Sequence, residues 1–392
     1  MSATAHSRSG ADDPRASGAA VRGVIEVLSS GNGFLRSPSE GFQATSDDVF
    51  VSQGMVRRFG LRTGDLIEGE AGSPPGRGKS PPLEKIRAIN GLPPEAVRQR
   101  PTFSSLPATY PKDQLVLECQ STRGPARGLT NRVVDLIAPL GKGQRALIVA
   151  PARAGKTMLL QSIMEGIATN YPEAVLLVLL VDERPEEVTE MQMFGLGEVI
   201  ASSFDCPAER HVAVAEMTLE HARRLVESGR DVVIVLDSLT RLARAYNATE
   251  RGSGRTLSGG IDSGALEKPK RFFGSARNVP EKAGGGSLTI IATALTETGS
   301  RGDEVIFEEF KGTGNAEIVL DREIAERRVF PAINIERSAT RREELLLSPE
   351  ALEKVYQLRR ALHSLSPVDA IQVLLKQLSD TKSNAELIAK MK

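Results

Sequence analysis

Leu147-Ile-Val-Ala-Pro-Ala-Arg-Ala-Gly-Lys-Thr-Met-Leu-Leu160 is the stretch that decides the fold of this chain. An apolar strand leads into a loop of small residues, and Lys156, Thr157 and an apolar helix follow. The backbone N–H groups of such a loop and the N-terminus of the helix bind phosphate oxygens. The pattern departs from G-x-x-x-x-G-K-[ST] at its first position, where Ala150 replaces glycine, and a chance Gly-Lys-Thr at a helix start is the alternative. We predict a nucleotide-binding loop of Ala150, Pro151, Ala152, Arg153, Ala154, Gly155, Lys156, Thr157 and Met158.

Composition narrows the class of protein without identifying a partner. The 392 residues include 50 Lys+Arg and 50 Asp+Glu, so the formal net charge is zero and neither requires nor excludes a nucleic acid. Cys119 and Cys206 form no C-x-x-C pair, which argues against a zinc site or a disulfide framework. No apolar run is as long as a membrane span, and residues 1–20 lack the apolar middle of a signal peptide. The sequence predicts a cytoplasmic protein with no membrane partner.

The N-terminal part predicts a tail followed by a small all-β domain. Residues 1–21 lack apolar periodicity and are rich in Ser, Ala, Gly, Asp and Arg, which is typical of disorder. Over residues 22–92, short alternating segments separated by Gly, Pro and Ser turns predict a five-stranded barrel. Its predicted strands are Val24–Leu28, Gly33–Arg36, Asp48–Val51, Leu66–Glu70 and Leu83–Ile89.

Residues 93–128 form a proline-punctuated linker, and residues 129–392 are predicted to form an α/β domain with C-terminal helices. Continuous apolar runs indicate strands of a parallel sheet that is covered on both faces. The predicted strands are Ala146–Ala150, Ala174–Val181, Val199–Phe204, Val232–Leu236 and Leu288–Ala294. The predicted helices are Lys156–Asn170, Pro185–Met193, Ala208–Ser228, Leu239–Tyr246, Pro349–Leu362, Pro367–Leu378 and Asn384–Met391.

Two predicted strands end in acidic residues at the edge where open α/β sheets bind ligands. Asp237 follows the strand Val232–Leu236 and could hold Mg²⁺ through water, with the Thr157 hydroxyl as a second metal-side ligand. Glu183 follows the run that ends at Val181 and could polarise an attacking water. Each acid alone could be a helix N-cap or first-turn residue. Together with the phosphate loop, the two acids favour hydrolysis of a nucleoside triphosphate.

The chain resembles the family of bacterial transcription termination factor Rho from about residue 22 to its C-terminus. The resemblance implies an N-terminal OB or cold-shock-like RNA-binding barrel and a RecA-like P-loop ATPase domain. It further implies a homohexamer that uses ATP and Mg²⁺ to move along single-stranded RNA and dislodge RNA polymerase. The matching segments are Gly143–Thr157, Asp182–Met191, Leu236–Asn247, Pro269–Gly274 and Glu308–Asn315.

The resemblance also assigns roles to individual residues of the ATP site. It makes Glu183 the catalytic carboxylate with Arg184 beside it, and Phe330 the aromatic that stacks on adenine. In the family, arginines of a neighbouring subunit reach the γ-phosphate, which an arginine finger accelerates by roughly 10³–10⁵. The remaining assignments are phosphate binding by Arg153, Lys156 and Thr157, metal-side binding by Asp237, catalysis by Arg341 (the finger position) and Arg328, and nucleotide binding at the interface by Arg322.

RNA is expected to bind at two places. The glycine-rich stretches 250–260 and 297–303 match the pore loops of the family, which points to Arg255 and Arg301, although mobile surface linkers are an alternative. In the barrel, the resemblance points to Phe34, Arg36 and Phe50. Asn32 occupies a position where the family usually has a stacking Phe, so RNA binding should depend more on charge and less on cytosine.

Two other functions use the same core. A rotary or secretion ATPase would share the α/β domain but would need a stalk partner and would give no role to the barrel. A non-enzymatic RNA-binding protein could use ATP only to close a ring. Multiple turnovers of ATP would exclude the non-enzymatic RNA-binding protein. Stimulation of hydrolysis by single-stranded RNA would favour the translocase over the rotary or secretion ATPase.

Overall fold

The structure is a computed structural model that describes residues 18–76, 78–249, 258–262 and 264–391. The chain forms an N-terminal antiparallel sheet and a larger, mainly parallel sheet covered by helices. The predicted tail lies mostly outside the described residues, and its last residues belong to the first strand. Among the helices that the structure describes, none has the length and apolarity to cross a bilayer.

The five predicted strands of the barrel are confirmed. They pair in the order β3-β2-β1-β4-β5, and every pairing is antiparallel. The Phe50 N–H of β3 donates to the Pro81 carbonyl at 2.8 Å, just before β5, so the two edge strands of the curled sheet approach each other. The bounds are β1 Ala19–Val27, β2 Gly33–Arg36, β3 Val49–Val51, β4 Leu66–Ala71 and β5 Leu83–Ile89, with helix α1 Gln53–Phe59 after β3 and α2 Pro94–Val97 after β5.

The second sheet has the order β13-β12-β6-β11-β9-β7-β8. Strands β12, β6, β11, β9, β7 and β8 run parallel, whereas β13 and the short β10 pair antiparallel with β12 and β11. The bounds are β6 Arg145–Pro151, β7 Val175–Glu183, β8 Glu198–Ser203, β9 Asp231–Asp237, β10 Arg277–Asn278, β11 Ser287–Thr296, β12 Ala316–Val319 and β13 Ala339–Thr340.

Helices cover both faces of this sheet, and the strand residues divide between the two faces with period two. Ile148 and Val178 pack into one apolar cluster, whereas Leu147 and Leu177 pack into the other. This double burial explains why the strands are apolar at nearly every position. The helices are α3 Pro125–Ile137, α4 Lys156–Asn170, α5 Pro185–Phe194, α6 Ala208–Glu227, α7 Leu239–Thr249, α8 Glu267–Gly274, α9 Arg301–Lys311, α10 Arg322–Glu326, α11 Pro349–His363, α12 Pro367–Ser379 and α13 Asn384–Lys390.

Some elements differ from the sequence prediction. The stretch 297–303 is not a loop throughout, because α9 begins at Arg301 and the Ser300 side chain caps it by accepting from the Asp303 N–H. The expectation of a flexible loop is wrong for residues 301–303. The elements that were not predicted are strands β10, β12 and β13 and helices α1, α2, α3, α8, α9 and α10. Helix α3 begins at Pro125, so the predicted boundary between residues 128 and 129 falls inside a helix.

The barrel sits on helix α6. His221 of α6 is buried, and its Nδ1 donates to the Gly64 carbonyl at 2.8 Å. The approach is close, since a Cβ on Gly64 would lie 2.4 Å from the backbone carbon of Glu220. Val24 and Phe42 of the barrel pack into the apolar cluster of the larger domain. The two domains therefore share a packed interface.

Buried charges reinforce this interface at the end of α6. The fully buried Glu227 carboxylate lies 2.7 Å from Arg62 Nη2 and 3.2 Å from both Arg100 Nε and Arg224 Nη2. It also accepts the Phe103 N–H at 2.7 Å. Arg100 bridges to the barrel through Asp65 at 2.6 Å. One carboxylate thus holds cations from the barrel, the linker and α6.

We predict that Glu227→Gln lowers the free energy of unfolding by about 3–5 kcal/mol, because it leaves buried arginines without their counter-charge. Urea denaturation measures the loss. The matched control is Glu323→Gln, which breaks an ion pair with Arg327 whose side chains are 62% and 63% exposed, and it should cost no more than about 1 kcal/mol. Equal effects of the two variants would contradict the prediction.

Candidate functional site

The predicted phosphate loop connects β6 to α4. Strand β6 ends at Pro151, and α4 begins at Lys156. The turn between them requires left-handed backbone at Arg153 (φ 64°) and at Gly155 (φ 86°), the N-cap of α4. Ala152, Arg153 and Met158 are exposed, whereas Ala150, Pro151 and Ala154 are buried. The free N–H groups at the start of a long helix thus face the edge of the sheet where β6 ends.

Lys156 is held between the two predicted carboxylates. Its Nζ lies 2.7 Å from the Asp237 carboxylate and 3.2 Å from Glu183 Oε1. The two acids are only 2% and 1% exposed. Burial lowers the pKa of Lys156, but the charges of Asp237 and Glu183 outweigh it and leave that pKa above its usual value. The structure therefore brings together the residues that the sequence placed at the ends of three separate strands.

Glu183 has the electrostatics of a proton acceptor. Burial, reinforced by the nearby Asp237 charge, raises the pKa of Glu183 to about 7. Its Oε2 is buried without a hydrogen-bond partner among the described residues, and the Arg241 guanidinium approaches it to 3.5 Å. Arg241 also donates to the Asp182 carbonyl. Sequence reasoning missed Arg241, because an arginine in the first turns of a helix carries no signal of its own.

Three carboxylates at this edge could hold a divalent cation. One oxygen each of Glu183, Glu187 and Asp237 lies within 4.8 Å of the others. Thr293 in β11 donates to Asp237 at 2.7 Å and orients it, and Thr157 is half-buried at the second residue of α4. An all-oxygen set with a hydroxyl beside it is the chemistry that Mg²⁺ prefers. Glu187 and Thr293 were not predicted from the sequence.

A narrow slot adjoins the phosphate loop on the side of α3. A Cβ on Gly155 would lie 3.2 Å from Phe330 Cδ1, so the Phe330 ring lies directly beside the loop. Thr130 of α3, Met158 of α4 and Leu320 also line the slot. Phe330 is half-buried. This placement agrees with a role for Phe330 beside a nucleotide base, which stays a prediction.

The other arginines predicted at the ATP site, Arg184, Arg322, Arg328 and Arg341, are exposed. Arg184 occupies the N-cap position of α5, and Arg328 has left-handed backbone (φ 60°). Arg322 begins α10 and pairs with Glu326 at 2.9 Å. Arg341 follows β13, and its N–H donates to the Asn315 carbonyl at 2.8 Å. The interface roles of Arg322 and Arg341 and the catalytic roles of Arg184 and Arg328 stay predictions.

The barrel residues predicted to bind RNA lie next to each other. The rings of Phe34 and Phe50 meet edge to face, with centroids 5.6 Å apart. The Arg36 guanidinium lies 5.1 Å from the Phe34 centroid, but Arg36 is only 9% exposed and pairs with Asp48 and Glu26. Arg36 therefore braces the aromatic pair rather than presenting a free cation.

The two predicted pore segments approach each other at the C-terminal edge of the sheet. Arg255 lies outside the described residues. Arg301 is the exposed first residue of α9. A Cβ on Gly259 would lie 2.3 Å from the Gly302 N, so the end of one segment packs on the helix that begins the other. Arg244 of α7 also pairs with the buried Asp303 of α9.

Comparisons with known proteins agree with both domains. Residues 21–95 match the Rho termination factor, RNA-binding domain family, and residues 130–340 match the ATP synthase alpha/beta family, nucleotide-binding domain. Transcription termination factor Rho of Cereibacter sphaeroides is 55% identical over 94% of this chain and 86% of its own length. The Rho factor of Gemmatimonas aurantiaca is 58% identical over 91% of this chain. This chain spans about half of that relative's length (48%). That of Pseudomonas aeruginosa is 55% identical over 94% of this chain and 87% of its own.

Solved structures agree on the fold alone. A prototypical ATPase from the type III secretion system of pathogenic bacteria superposes with a TM-score of 0.59 at 24% identity, covering 72% of this chain and 85% of that one. The ATP synthase subunit NeqB from Nanoarcheaum equitans gives 0.53 at 17% identity, covering 65% and 62%. The RecA-like α/β fold predicted for the larger domain is confirmed.

We predict that Gly155→Ala weakens ATP binding about tenfold or more. A side chain there strains the left-handed backbone by about 1–2 kcal/mol and presses on the Phe330 ring. Displacement of a fluorescent nucleotide measures the affinity. The control is Gly274→Ala, since a Cβ on Gly274 meets nothing within 4 Å and should leave the affinity unchanged. Unaltered affinity in Gly155→Ala would contradict the geometry of the loop.

Proposed function

The chain belongs to the transcription termination factor Rho family, and from this premise we propose that it is an ATP-driven translocase on single-stranded RNA that terminates transcription. The observation that carries the proposal is the joining of the buried Lys156–Glu183–Asp237 cluster to an RNA-binding-type barrel through one packed interface. The protein would act in the cytoplasm on RNA and RNA polymerase.

Hydrolysis would begin with a change of ionic partners at Lys156. When the triphosphate binds, the Lys156 ammonium turns from the carboxylates to the phosphate oxygens. Glu183 and Asp237 then lose the cation that neutralises them in their buried positions. Thr157 and Asp237 would hold Mg²⁺ on this side of the site, and the bound ion would supply compensating positive charge. In the site without nucleotide, burial and the Asp237 charge raise the pKa of Glu183 to about 7, and a carboxylate of raised pKa suits the role of proton acceptor from water.

Arg341 would complete the site of a neighbouring subunit. Pairing of Ala316 with both Thr340 and Ala146 places Arg341 near the start of β6, whereas the phosphate loop follows its end. Six residue steps along a strand span about 20 Å, which is longer than an arginine side chain. Arg341 therefore cannot serve the phosphate loop of its own chain, and we propose that it acts across the interface of a homohexamer, where Arg322 and Arg328 also lie.

RNA would be held at two levels of such a ring. Phe34 and Phe50 offer aromatic faces on the barrel, and a base stacked on an aromatic contributes roughly 1–3 kcal/mol. Arg301, at the exposed start of α9, would contact the sugar-phosphate backbone in the central pore together with Arg255. The Asn32 side chain has a structural role, since its Oδ1 accepts the Gln53 N–H at 3.0 Å at the start of α1. We therefore propose that loading depends mainly on backbone charge.

We predict slow ATP hydrolysis without RNA and much faster hydrolysis with single-stranded RNA. Glu183→Gln should lower the RNA-stimulated turnover at least about 100-fold while sparing nucleotide binding, because it removes the proton acceptor but keeps the side-chain volume. Turnover on poly(C) and poly(U) measures both effects. Glu186→Gln is the control, since Glu186 is an exposed acid in the first turn of α5, three residues from Glu183, and lies outside the carboxylate cluster. Turnover that no RNA alters would contradict the proposed function.

We also predict that Arg341→Ala lowers turnover by about 10³ and leaves the dissociation constant of ATP unchanged, because the side chain acts only on the transition state of the neighbouring site. The control is Arg342→Ala, which should leave turnover unchanged. The Arg342 side chain is engaged within its own chain, where it stacks on Tyr110 at 5.1 Å and pairs with Glu344. Native mass spectrometry of the same samples reports the hexamer. Full activity of Arg341→Ala in hexamers would contradict its role as a finger.

A further inference from the structure

Strand β7 carries one extra residue, Asp182, immediately before Glu183. Val181 pairs with Ser202 of β8, whereas Glu183 pairs with the very next residue of β8. Asp182 therefore forms a β-bulge, and its backbone is left-handed, with a φ of 57°. This conformation is uncommon for a residue other than glycine, so contacts from neighbouring elements must stabilise it.

The bulge determines the face of the sheet on which Glu183 lies. Side chains of a strand alternate between the two faces, and one extra residue reverses the alternation beyond it. Val181 packs into the apolar cluster that contains residues of α6, so regular alternation would place Glu183 on that face. Glu183 instead lies 3.2 Å from Lys156 at the start of α4, a helix that packs into the cluster on the opposite face. The bulge thus lets Glu183 reach the phosphate loop.

Side chains from two helices flank Asp182. Arg241 of α7 donates to the Asp182 carbonyl, and its Nη1 lies 3.6 Å from Asp182 Oδ2. His211 of α6 approaches the other carboxylate oxygen, with its Nε2 at 4.0 Å from Asp182 Oδ1. The bulge is therefore held between a cation on one side and an imidazole on the other.

His211 is itself fixed in one orientation. The ring is buried, and its Nδ1 lies 2.7 Å from the buried Ser202 hydroxyl of β8. Burial lowers the pKa of His211 and outweighs the opposing effect of the Asp182 charge, so the ring is neutral near neutral pH and carries one N–H. A carboxylate beside Nε2 favours the tautomer with the hydrogen on that atom, and the Ser202 hydroxyl then donates to Nδ1. The ring N–H is thus directed at Asp182.

We propose that His211 is a positioning residue for ATP hydrolysis, which together with Arg241 holds the Asp182 bulge and thereby places the Glu183 carboxylate against the attacking water. This inference rests on the proposed function, because it concerns the proton acceptor of that reaction. A catalytic group that is misplaced by about 1 Å can lose roughly 100-fold in rate. Because His211 acts through Asp182, its loss should lower turnover without weakening the binding of ATP.

Two variants of His211 test the contact with Asp182. Both Gln and Asn carry an N–H donor, but the amide of Gln reaches the position of Nε2, whereas that of Asn reaches only the position of Nδ1. His211→Asn should lower the RNA-stimulated kcat about tenfold or more at an unchanged dissociation constant of ATP. His211→Gln should recover most of this loss. Equal kcat values in the two variants would overturn the proposal.

The matched control is His221→Gln, because His221 is a second buried histidine of α6. Its Nδ1 bonds to the Gly64 carbonyl at 2.8 Å at the barrel interface, so the variant also loses one buried hydrogen bond. His221→Gln should lower the midpoint of thermal unfolding about as much as His211→Asn does, yet leave kcat at saturating RNA unchanged. A loss of kcat as large as that of His211→Asn would overturn the proposal, since turnover would then follow the stability of α6.

A double-mutant cycle shows whether the effect passes through Glu183. Single-turnover hydrolysis is measured for His211→Asn, for Glu183→Gln and for the variant with both changes. Because Glu183→Gln already removes the group that His211 positions, His211→Asn should lower the residual rate no further. Ser202→Ala enters the same cycle as a smaller change that removes only the second anchor of the ring, and its loss should likewise vanish. Additive losses in either cycle would overturn the proposal.

The measurements distinguish this inference from the proposed function. Hydrolysis that no RNA stimulates, together with a loss in His211→Asn that vanishes in the Glu183→Gln background, would preserve the positioning role and overturn the translocase. RNA-stimulated hydrolysis that His211→Asn leaves unchanged would overturn only the role of His211.

Discussion

The candidate site depends on a single electrostatic constraint, the burial of two carboxylates beside one ammonium. Glu183 and Asp237 are almost inaccessible to solvent, and such groups can stay charged only if a cation neutralises them. Lys156 supplies that cation from the first turn of α4. The arrangement requires the strand order β6-β11-β9-β7, because only then do the ends of three strands converge. Under the proposed function, a binding triphosphate would compete for this lysine and withdraw the cation from both acids.

Helix α6 links this constraint to the rest of the molecule. It packs against β7 and β9, the strands that end in Glu183 and Asp237, and it also contacts the barrel. The buried Glu227 at the end of α6 forms ion pairs with arginines of the barrel and the linker. These pairs fix the orientation of the smaller domain. An RNA-binding-type surface and a nucleotide site are therefore attached to one rigid element, and displacement of one domain requires breaking buried ion pairs.

Much of the fold could be predicted because its patterns are local and strong. Parallel strands that are buried on both faces must be apolar at consecutive positions, and barrel strands that are buried on one face must alternate. Strand β12 escaped prediction because it is only four residues long and the half-buried Glu317 interrupts its apolar residues. The start of α9 escaped because Gly302 and Ser300 resemble a loop, although Ser300 is a helix cap. Thr293, which orients Asp237, is one polar residue within an apolar strand.

The sequence by itself determined the phosphate loop, the two domain classes and the acids at the strand ends, because these follow from backbone hydrogen bonding and apolar periodicity over short stretches of chain. Only the tertiary structure decided which of these groups meet. Lys156 contacts partners 27 and 81 residues away, and Arg341 lies at the opposite edge of the sheet from the loop of its own chain. Such contacts depend on strand order and register, which arise from the packing of the whole core and which no local pattern contains.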